Sequence, residues 1–561
     1  MISRQRRPLG LEFKQKAVRL VFVVVMLVVL VIVGWSWLGL NSSYSARSLS
    51  LPAMLPHNSI ERGRLFFAYG DLGVIDLDTL ETNALPWALL TAALALDAAK
   101  GDPQRVTPAM VEDQFRSVGF LYPAQGRGIS MLPFGVNLGR VQRVMPPISI
   151  ATVNIGCAAC HAGVSYDSRG YPDPALPVAG TPNTSLDLEA YAQLVYRSLK
   201  GAFSDETALW QAMERLHPDM SWRERLSLRL VVFPQARARM EELEANGDQP
   251  LPFPNGRPGL TNGVAALKQR LGLDTSHDTV AGFVSIPDLA DRTFRSSFLA
   301  DGAYAVPGTE RFSPRTRKEA AEADPVLLGR IASFFTVPSM GMSPKRAEEE
   351  IPAVVDIVRF LATYRAPAFP GEIEREKLPL GREVYARDCA RCHGRYDDSL
   401  ESPRLQHFPN WAGDIGTEAT RAEVFDAELA AAVSETHYAA YIEPAATGKL
   451  VALPLSGVWA SAPYFVNGSV PTLRHVLEPE TRPERFMVGG HRLDMEKVGL
   501  ALAPAPGKGG VWRYPAGYEP FSTPAEVDTR QPGFSNRGHD AEVEGLTTNE
   551  RDALLEYLKL L

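Results

Sequence analysis

The chain has 561 residues, of which 45% are hydrophobic and 22% are charged. This composition is typical of a folded protein with several domains and excludes an intrinsically disordered chain. Residues 1–40 carry a net charge of +5, so residues 41–561 carry −12 and the whole chain −7. So acidic a body argues against nucleic acid as a partner.

An apolar stretch near the N-terminus predicts a membrane anchor. Residues 20–40 contain no charged side chain, and this length is enough to cross a bilayer as one helix. Six basic residues and one acidic residue precede it, and by the positive-inside rule that end stays in the cytoplasm. We therefore expect a cytoplasmic tail over residues 1–19, one helix through the inner membrane over 20–40, and the bulk of the chain in the periplasm. A cleaved signal peptide is the alternative, although its apolar region would normally have only about 7–15 residues.

Two C-x-x-C-H motifs contain all four cysteines of the chain, at residues 157–161 (CAACH) and 389–393 (CARCH). In this motif two thiols form thioethers to the vinyl groups of haem, and the adjacent His supplies an axial nitrogen to iron. Paired redox or zinc motifs are the alternative, but a zinc site would have to join motifs 232 residues apart and would leave both histidines unexplained. The sequence therefore predicts two covalently bound haem c groups, attached and ligated by Cys157, Cys160, His161, Cys389, Cys392 and His393.

The rest of the chain divides into two regions around these motifs. Residues 41–370 form the N-terminal haem region, and their many Pro and Gly residues predict loops between short helices. A helix is predicted over residues 348–364, and the Pro-rich segment after it marks a domain boundary. Residues 371–561 begin with a short helix before the second motif and end with a capping box at residues 547–550 and an amphipathic helix. This layout predicts a mainly α fold of two cytochrome c-like haem domains with long loop-rich insertions, preceded by one transmembrane helix.

A longer block near the C-terminus carries a family resemblance. Residues 455–473 (LSGVWASAPYFVNGSVPTL) resemble a block of the bacterial dihaem cytochrome c peroxidase superfamily. Residues 470–473 (VPTL), 536–539 (NRGH) and 179–184 (AGTPNT) resemble the branch that contains the dihaem rubber oxygenases. The block usually carries a His where Val466 stands in this chain, so any hydrogen bond from that His is absent. The resemblance implies a haem oxidoreductase, either peroxidase-like or oxygenase-like.

The resemblance also implies a division of labour between the two haems. His539, in the NRGH segment, would be the second iron ligand of the C-terminal haem, with Met487 and Met495 as alternatives. That haem would relay electrons from or to a periplasmic redox partner, while the N-terminal haem, held by His161, would keep an open face for peroxide or dioxygen. A pure electron-transfer cytochrome with two six-coordinate haems is the other possibility. The sequence predicts no particular oligomeric state.

Several further side chains are candidates for the surroundings of the haems. The resemblance places an aromatic wall of the open face at Phe283, Phe294 and Phe298. Peroxidase chemistry needs a group that moves a proton, for which His217 and Glu244 are candidates. Candidates for binding propionates are Arg391 and Arg395, and candidates for an electron relay are Trp411 and Trp459.

Overall fold

The structure is a computed structural model that describes residues 44–70, 84–124, 129–143, 148–275, 282–418, 420–506 and 509–561. It is about 41% helical and 15% strand, and the strands of the described residues form eight small sheets. The prediction of a mainly α fold is therefore wrong. Many of the strands are only two residues long, too short to show the alternation of apolar and polar residues by which a strand is recognised in a sequence.

The helices and strands of the described residues are short. The α-helices are Ser59–Tyr69, Trp87–Ala98, Pro108–Ser117, Cys157–Cys160, Leu188–Phe203, Glu206–Leu216, Trp222–Ser227, Phe233–Ala245, Gly263–Arg270, Arg317–Ala321, Pro325–Phe334, Thr336–Met340, Pro344–Glu349, Ile351–Leu361, Leu378–Val384, Ala390–His393, Thr420–Val424, Ala427–Glu435, Leu473–Leu477, Asp540–Val543 and Thr548–Leu558. The strands are Tyr44–Ser48, Leu85–Pro86, Val136–Arg143, Ile148–Ile155, Ala162–Tyr166, Pro172–Ala179, Leu260–Thr261, Val284–Ser285, Ser297–Phe298, Tyr304–Ala305, Arg315–Thr316, Arg395–Tyr396, Leu405–Phe408, Ala412–Gly413, Glu443–Pro444, Leu450–Val451, Arg485–Val488, Leu493–Asp494, Gly499–Leu500, Val511–Trp512 and Ala525–Asp528.

The predicted fold class also included a transmembrane helix. Residues 20–40, where we expected it, lie outside the described residues. None of the helices within the described ranges is both long enough and apolar enough to cross a bilayer. The helices of the described residues therefore do not include the membrane-spanning helix that the fold prediction contained.

A four-stranded antiparallel sheet positions the first C-x-x-C-H motif. Its central strands are Val136–Arg143 and Ile148–Ile155, and the second of these is apolar and buried along most of its length. Gly156 follows that strand directly and leads into the short helix Cys157–Cys160. Gly135 has a φ of 79°, and a Cβ atom there would lie 1.9 Å from the Ala159 amide nitrogen. The sheet therefore packs closely against the backbone of the motif, and only glycine fits at this contact.

The helix predicted before the domain boundary is confirmed. Ile351–Leu361 begins with a proline in its first turn and buries Val354. It packs against Ser59–Tyr69, and Arg62 of that helix forms an ion pair with Asp356 at 2.8 Å. Segments almost 300 residues apart in the sequence are thereby joined beside the first motif. The division of the chain at residue 370 stays a prediction.

The second motif follows the first α-helix of the C-terminal region, and that helix packs against the last helix of the chain. Helix Leu378–Val384 continues through a π-helical turn into Ala390–His393, and it packs against Thr548–Leu558. The predicted capping box is confirmed at the start of that last helix. A Cβ atom at Gly381 would lie 2.0 Å from the Ala553 carbonyl oxygen, so the two helices cross at a contact that only glycine allows.

Candidate functional site

Both C-x-x-C-H motifs border one connected cavity of about 2310 Å³. Its wall includes all six residues that the sequence predicts to hold haem: Cys157, Cys160, His161, Cys389, Cys392 and His393. Most of the remaining wall is made of aliphatic and aromatic side chains, among them Leu188, Val195, Leu473 and Leu477. A large apolar cavity with a few convergent polar groups is the usual form of a cofactor site.

The cysteine side chains in this cavity are neutral thiols. Burial raises the pKa of Cys157 to about 11 and the pKa of Cys160 to about 12. In the second motif burial, followed by the nearby Asp388 carboxylate, raises the pKa of Cys389 to about 12. Reactive or metal-binding cysteines have a lowered pKa instead. No three His, Cys, Asp or Glu side chains within the described ranges are close enough together to bind a metal ion, so the zinc alternative has no site there.

The two motif histidines are held in the same tautomer. His161 Nδ1 lies 3.2 Å from the Pro287 carbonyl oxygen, and His393 Nδ1 lies 2.8 Å from the Leu453 carbonyl oxygen. A carbonyl oxygen can only accept a hydrogen bond, so in each ring Nδ1 carries the hydrogen and Nε2 is left with its lone pair. Burial lowers the pKa of His161 to about 4 and also lowers that of His393. Both rings are therefore neutral, with Nε2 ready to bind a metal.

The structure brings His539 next to His393, although 146 residues separate them in the sequence. The two ring centres are 6.1 Å apart and the ring planes are inclined by only 19°. An imidazole nitrogen binds a transition-metal ion at about 2.0–2.1 Å and lies about 1.2 Å from its ring centre, so two rings on opposite sides of one ion have centres about 6.4 Å apart. The observed separation therefore fits a pair of histidines that share one iron.

Burial also keeps His539 neutral. Desolvation, with smaller contributions from His393 and Arg482, lowers the pKa of His539 to about 3. Its Nδ1 atom is buried without a hydrogen-bond partner. Its backbone has a φ of 61°, a left-handed conformation that costs a residue with a side chain roughly 1 kcal/mol or more and that the surrounding contacts must maintain.

The block that resembles the peroxidase superfamily and the nearby Arg482 supply those contacts. Asn467 Nδ2 and Ser469 Oγ both donate hydrogen bonds to the Ser535 carbonyl oxygen, at 2.9 and 2.8 Å. Arg482, whose side chain is almost fully buried, donates to the carbonyl oxygens of Asn536 at 2.7 Å and Gly538 at 3.0 Å. The Asn-Gly-Ser segment thus ties down the loop that ends at His539.

The aromatic residue of the same block packs directly on His539. The ring centre of Phe465 lies 5.4 Å from that of His539, and the two planes differ by 18°. The next residue, Val466, borders the cavity in the position where the family block usually has a His. An apolar side chain therefore stands where the block would otherwise carry an imidazole.

The alternative ligands and proton carriers named from the sequence do not border the cavity. Met487 lies in the strand Arg485–Val488, and Met495 lies next to Gly170 and Gly371, both away from the cavity wall. His217 lies 2.7 Å from Thr91 Oγ1 in the N-terminal core. Glu244 is about half exposed and pairs with Lys200 at 3.2 Å.

The remaining candidates are divided between cavity, core and surface. Phe294, Phe298 and Trp411 border the cavity. Phe283 packs against Phe534 in the C-terminal core, and the buried Trp459 donates from Nε1 to the Pro367 carbonyl oxygen at 2.9 Å. Arg391 pairs with Glu542 at 3.0 Å on the surface, and Arg395 is exposed.

The structure also identifies a carboxyl group that sequence reasoning missed. Asp288 borders the cavity directly after Pro287, whose carbonyl oxygen accepts the hydrogen bond of His161. Tyr364 donates a hydrogen bond to Asp288 Oδ2 at 3.0 Å, and burial raises the pKa of Asp288 to about 6. Nothing in the local sequence marks this aspartate, because its burial depends on residues from distant segments.

Comparisons with known proteins support a link between this chain and cytochromes c. Residues 450–487 match the family model described as RoxA-like, cytochrome c-like. The match supports the link to the rubber oxygenases and implies covalently bound haem c. Membership of the dihaem peroxidase superfamily stays a prediction.

Two curated relatives come from Sinorhizobium fredii. Uncharacterized protein y4iM is 30% identical over 223 residues, which are 34% of this chain and 48% of the relative. Uncharacterized protein y4iJ is 35% identical over 119 residues, which are 20% of this chain and 17% of the relative. The chain therefore spans about half the length of the first relative and less than a fifth of the second.

Proposed function

We propose that this protein is an exported dihaem c-type cytochrome that acts as an oxidoreductase on peroxide or dioxygen. One haem is bound by Cys157, Cys160 and His161, and the other by Cys389, Cys392 and His393. Haem iron with an open axial position binds dioxygen or peroxide, whereas iron with two protein ligands carries electrons. Cys389, Cys392 and His393 would hold the haem that supplies electron relay, and Cys157, Cys160 and His161 would hold the haem that supplies the reaction with peroxide or dioxygen.

The approach of His539 to His393 is the observation that carries this proposal. Among the described residues in the cavity wall, the histidines are His161, His393 and His539. The last two pair with each other at a separation that fits one shared iron, so no further histidine of the described cavity wall is left to pair with His161. The two haem sites therefore differ in the number of histidines that they offer to iron, as the proposed division of labour requires.

The chain's own residues prepare the N-terminal site for proton transfer and exclude water. Leu289 packs in the core beside the first motif, and apolar side chains such as Leu289 and Phe298 keep the cavity wall of low polarity. Asp288 can hold or release a proton near neutral pH, because its pKa is about 6. It takes the role for which the sequence suggested His217 or Glu244.

Export is part of the proposal because thioether attachment of haem to C-x-x-C-H motifs takes place outside the cytoplasm in bacteria. The thiols must also stay unpaired until haem is attached, and all four cysteines are free. We infer a periplasmic location and a soluble or membrane-bound periplasmic electron donor or acceptor as partner. Cell fractionation of the tagged full-length chain, with cytoplasmic and periplasmic marker enzymes, tests the location.

A pure electron-transfer protein is the second candidate, and one observation favours it. Met340 also borders the cavity and packs with Cys157 and Ala158 in the core beside the first motif. A thioether from this residue would be able to close the N-terminal iron, because Met is a common second ligand in cytochromes c. Both haems would then be six-coordinate.

Electron paramagnetic resonance of the oxidised protein separates the two candidates. Intact-mass measurement first establishes that two haem groups are attached. The proposal predicts one high-spin and one low-spin ferric signal, and the low-spin signal should become high-spin in His539→Ala. His217→Ala is the matched control, because His217 lies outside the cavity. Two low-spin signals in the wild type would favour electron transfer alone, and an unchanged spectrum in His539→Ala would exclude its role as a ligand.

A further inference from the structure

The cavity wall contains an arginine whose charge has no carboxylate partner among the residues that the structure describes. The Arg295 residue is only 3% exposed and borders the cavity. One of its terminal nitrogens donates to the Leu299 carbonyl oxygen at 3.1 Å, while its Nε is buried without a hydrogen-bond partner. Burial lowers the pKa of Arg295 to about 9, so it still carries its charge at neutral pH.

The acidic residues of the same segment are already engaged. Asp301 forms a buried ion pair with Arg421 at 2.5 Å, and Asp291 accepts a hydrogen bond from Ser456 at 2.6 Å. Asp288 accepts from Tyr364 and from a backbone amide. Burying a charge without a partner is strongly unfavourable. Within the described part of the chain no carboxylate therefore pairs with the Arg295 guanidinium, and an anion from a bound group would complete its interactions.

Two more arginines extend this positive wall. Arg292 borders the cavity, and its guanidinium donates to the backbone carbonyl oxygen of Asp288. Asp288 directly follows Pro287, whose carbonyl oxygen accepts the hydrogen bond of His161, so Arg292 lies on the side of the first motif. Arg317 also borders the cavity, and its Nε is buried without a partner.

We propose that Arg295, with Arg292 and Arg317 beside it, is a binding site for carboxylates, and that these are the propionates of the N-terminal haem. The inference rests on the proposed function, because it needs a haem in the cavity. A guanidinium binds a carboxylate through two parallel hydrogen bonds, and propionates are the charged groups of an otherwise apolar porphyrin. The sequence suggested Arg391 and Arg395 for propionates, but both belong to the region of the second motif and are exposed.

Spectroelectrochemical titration of the haem-loaded protein tests the site. Removing a positive charge near a haem favours its oxidised form, so in Arg295→Gln the ferrous-to-ferric ratio of the N-terminal haem at a fixed potential should fall about tenfold, which is about 59 mV for a one-electron couple. The propionate bending band in resonance Raman spectra should shift as well. Arg295→Lys keeps the charge and should retain most of the potential.

Arg311→Gln is the matched control, because Arg311 is also largely buried but donates to the backbone carbonyl oxygens of Gly302 and Ala303, outside the cavity wall. Should Arg295→Gln fail to fold, Arg317→Gln tests the same wall at a less buried position. The proposal is overturned if Arg295→Gln, or Arg317→Gln in its place, shifts neither the haem potential nor the Raman band by more than Arg311→Gln does.

Acetate distinguishes the propionates from a free carboxylate ligand. If propionates occupy the site, adding acetate to the wild-type protein should leave its absorption spectrum unchanged. A saturable spectral change that is lost in Arg295→Gln would instead assign the site to a free carboxylate and overturn the propionate assignment. If intact-mass measurement shows no attached haem, the proposed function itself is refuted. If haem is attached and the potentials of the variants are unchanged, only the proposed propionate site is refuted.

Discussion

Asp288 provides a sharp test of the electrostatics of the cavity. Its residue is 6% exposed, and it accepts hydrogen bonds from Tyr364 Oη at 3.0 Å and from the Ala290 amide at 2.7 Å. Burial raises its pKa from 3.8 to about 6, because desolvation outweighs these hydrogen bonds and the positive charge of Arg292. We predict that this carboxyl is largely protonated at pH 5.

The size of the effect follows from the two pKa values. The difference between 3.8 and about 6 corresponds to about 3 kcal/mol by which burial favours the neutral carboxyl. At pH 5 about 90% of Asp288 should be protonated, against about 6% for an aspartate with the ordinary pKa. Between about pH 4 and pH 6 the native state binds more protons than the unfolded state. Asp288 therefore lowers the free energy of unfolding as pH rises through this range, and its full cost applies above about pH 6.

Infrared difference spectra between the wild type and Asp288→Asn measure this protonation directly. The stretching band of a protonated carboxyl should appear in the wild type below about pH 6 and should be absent from the variant. Asparagine keeps the size of the side chain and can still accept one of the two hydrogen bonds, from Tyr364 Oη or from the Ala290 amide. Asp291→Asn, three residues away, is the control and should retain the band. A midpoint below pH 5, or a band that persists in Asp288→Asn, would refute the assigned burial effect.

Two further predictions concern the packing that holds the site together. Gly381→Ala should lower the free energy of unfolding by about 1–3 kcal/mol or more, because the added Cβ would lie 2.0 Å from the Ala553 carbonyl oxygen. The control Gly201→Ala, at an open helical position, should instead raise the free energy of unfolding by about 0.5–1 kcal/mol. Equal shifts of the two thermal unfolding midpoints would contradict the close helix contact. Arg421→Gln should cost about 3–5 kcal/mol, because it leaves Asp301 charged and buried. Denaturant unfolding should show that the double variant with Asp301→Asn recovers part of this loss, and no recovery would argue against a charge effect.

Local patterns were enough to predict several elements of this protein. The capping box at residues 547–550 and the proline in the first turn of Ile351–Leu361 both mark helix starts that the structure confirms. The two C-x-x-C-H motifs predict haem attachment from spacing alone, because the chemistry needs thiols and imidazole within five residues. The strands were missed and the fold was predicted as mainly α, since strands of two residues pair through contacts with distant segments and carry no periodic signal.

The surroundings of the haem motifs depended on the tertiary structure. The sequence named His539 only through a resemblance, whereas the fold places its ring 6.1 Å from that of His393. Asp288 and Arg295 had no sequence signal at all, because an aspartate or arginine acquires a shifted pKa or an unmet charge only when other segments bury it. Arg391 lies next to a motif cysteine in the sequence, yet its side chain points to solvent and pairs with Glu542. Neighbours along the chain were therefore enough to predict the residues that attach haem, and burial by distant segments decided which groups surround the predicted sites.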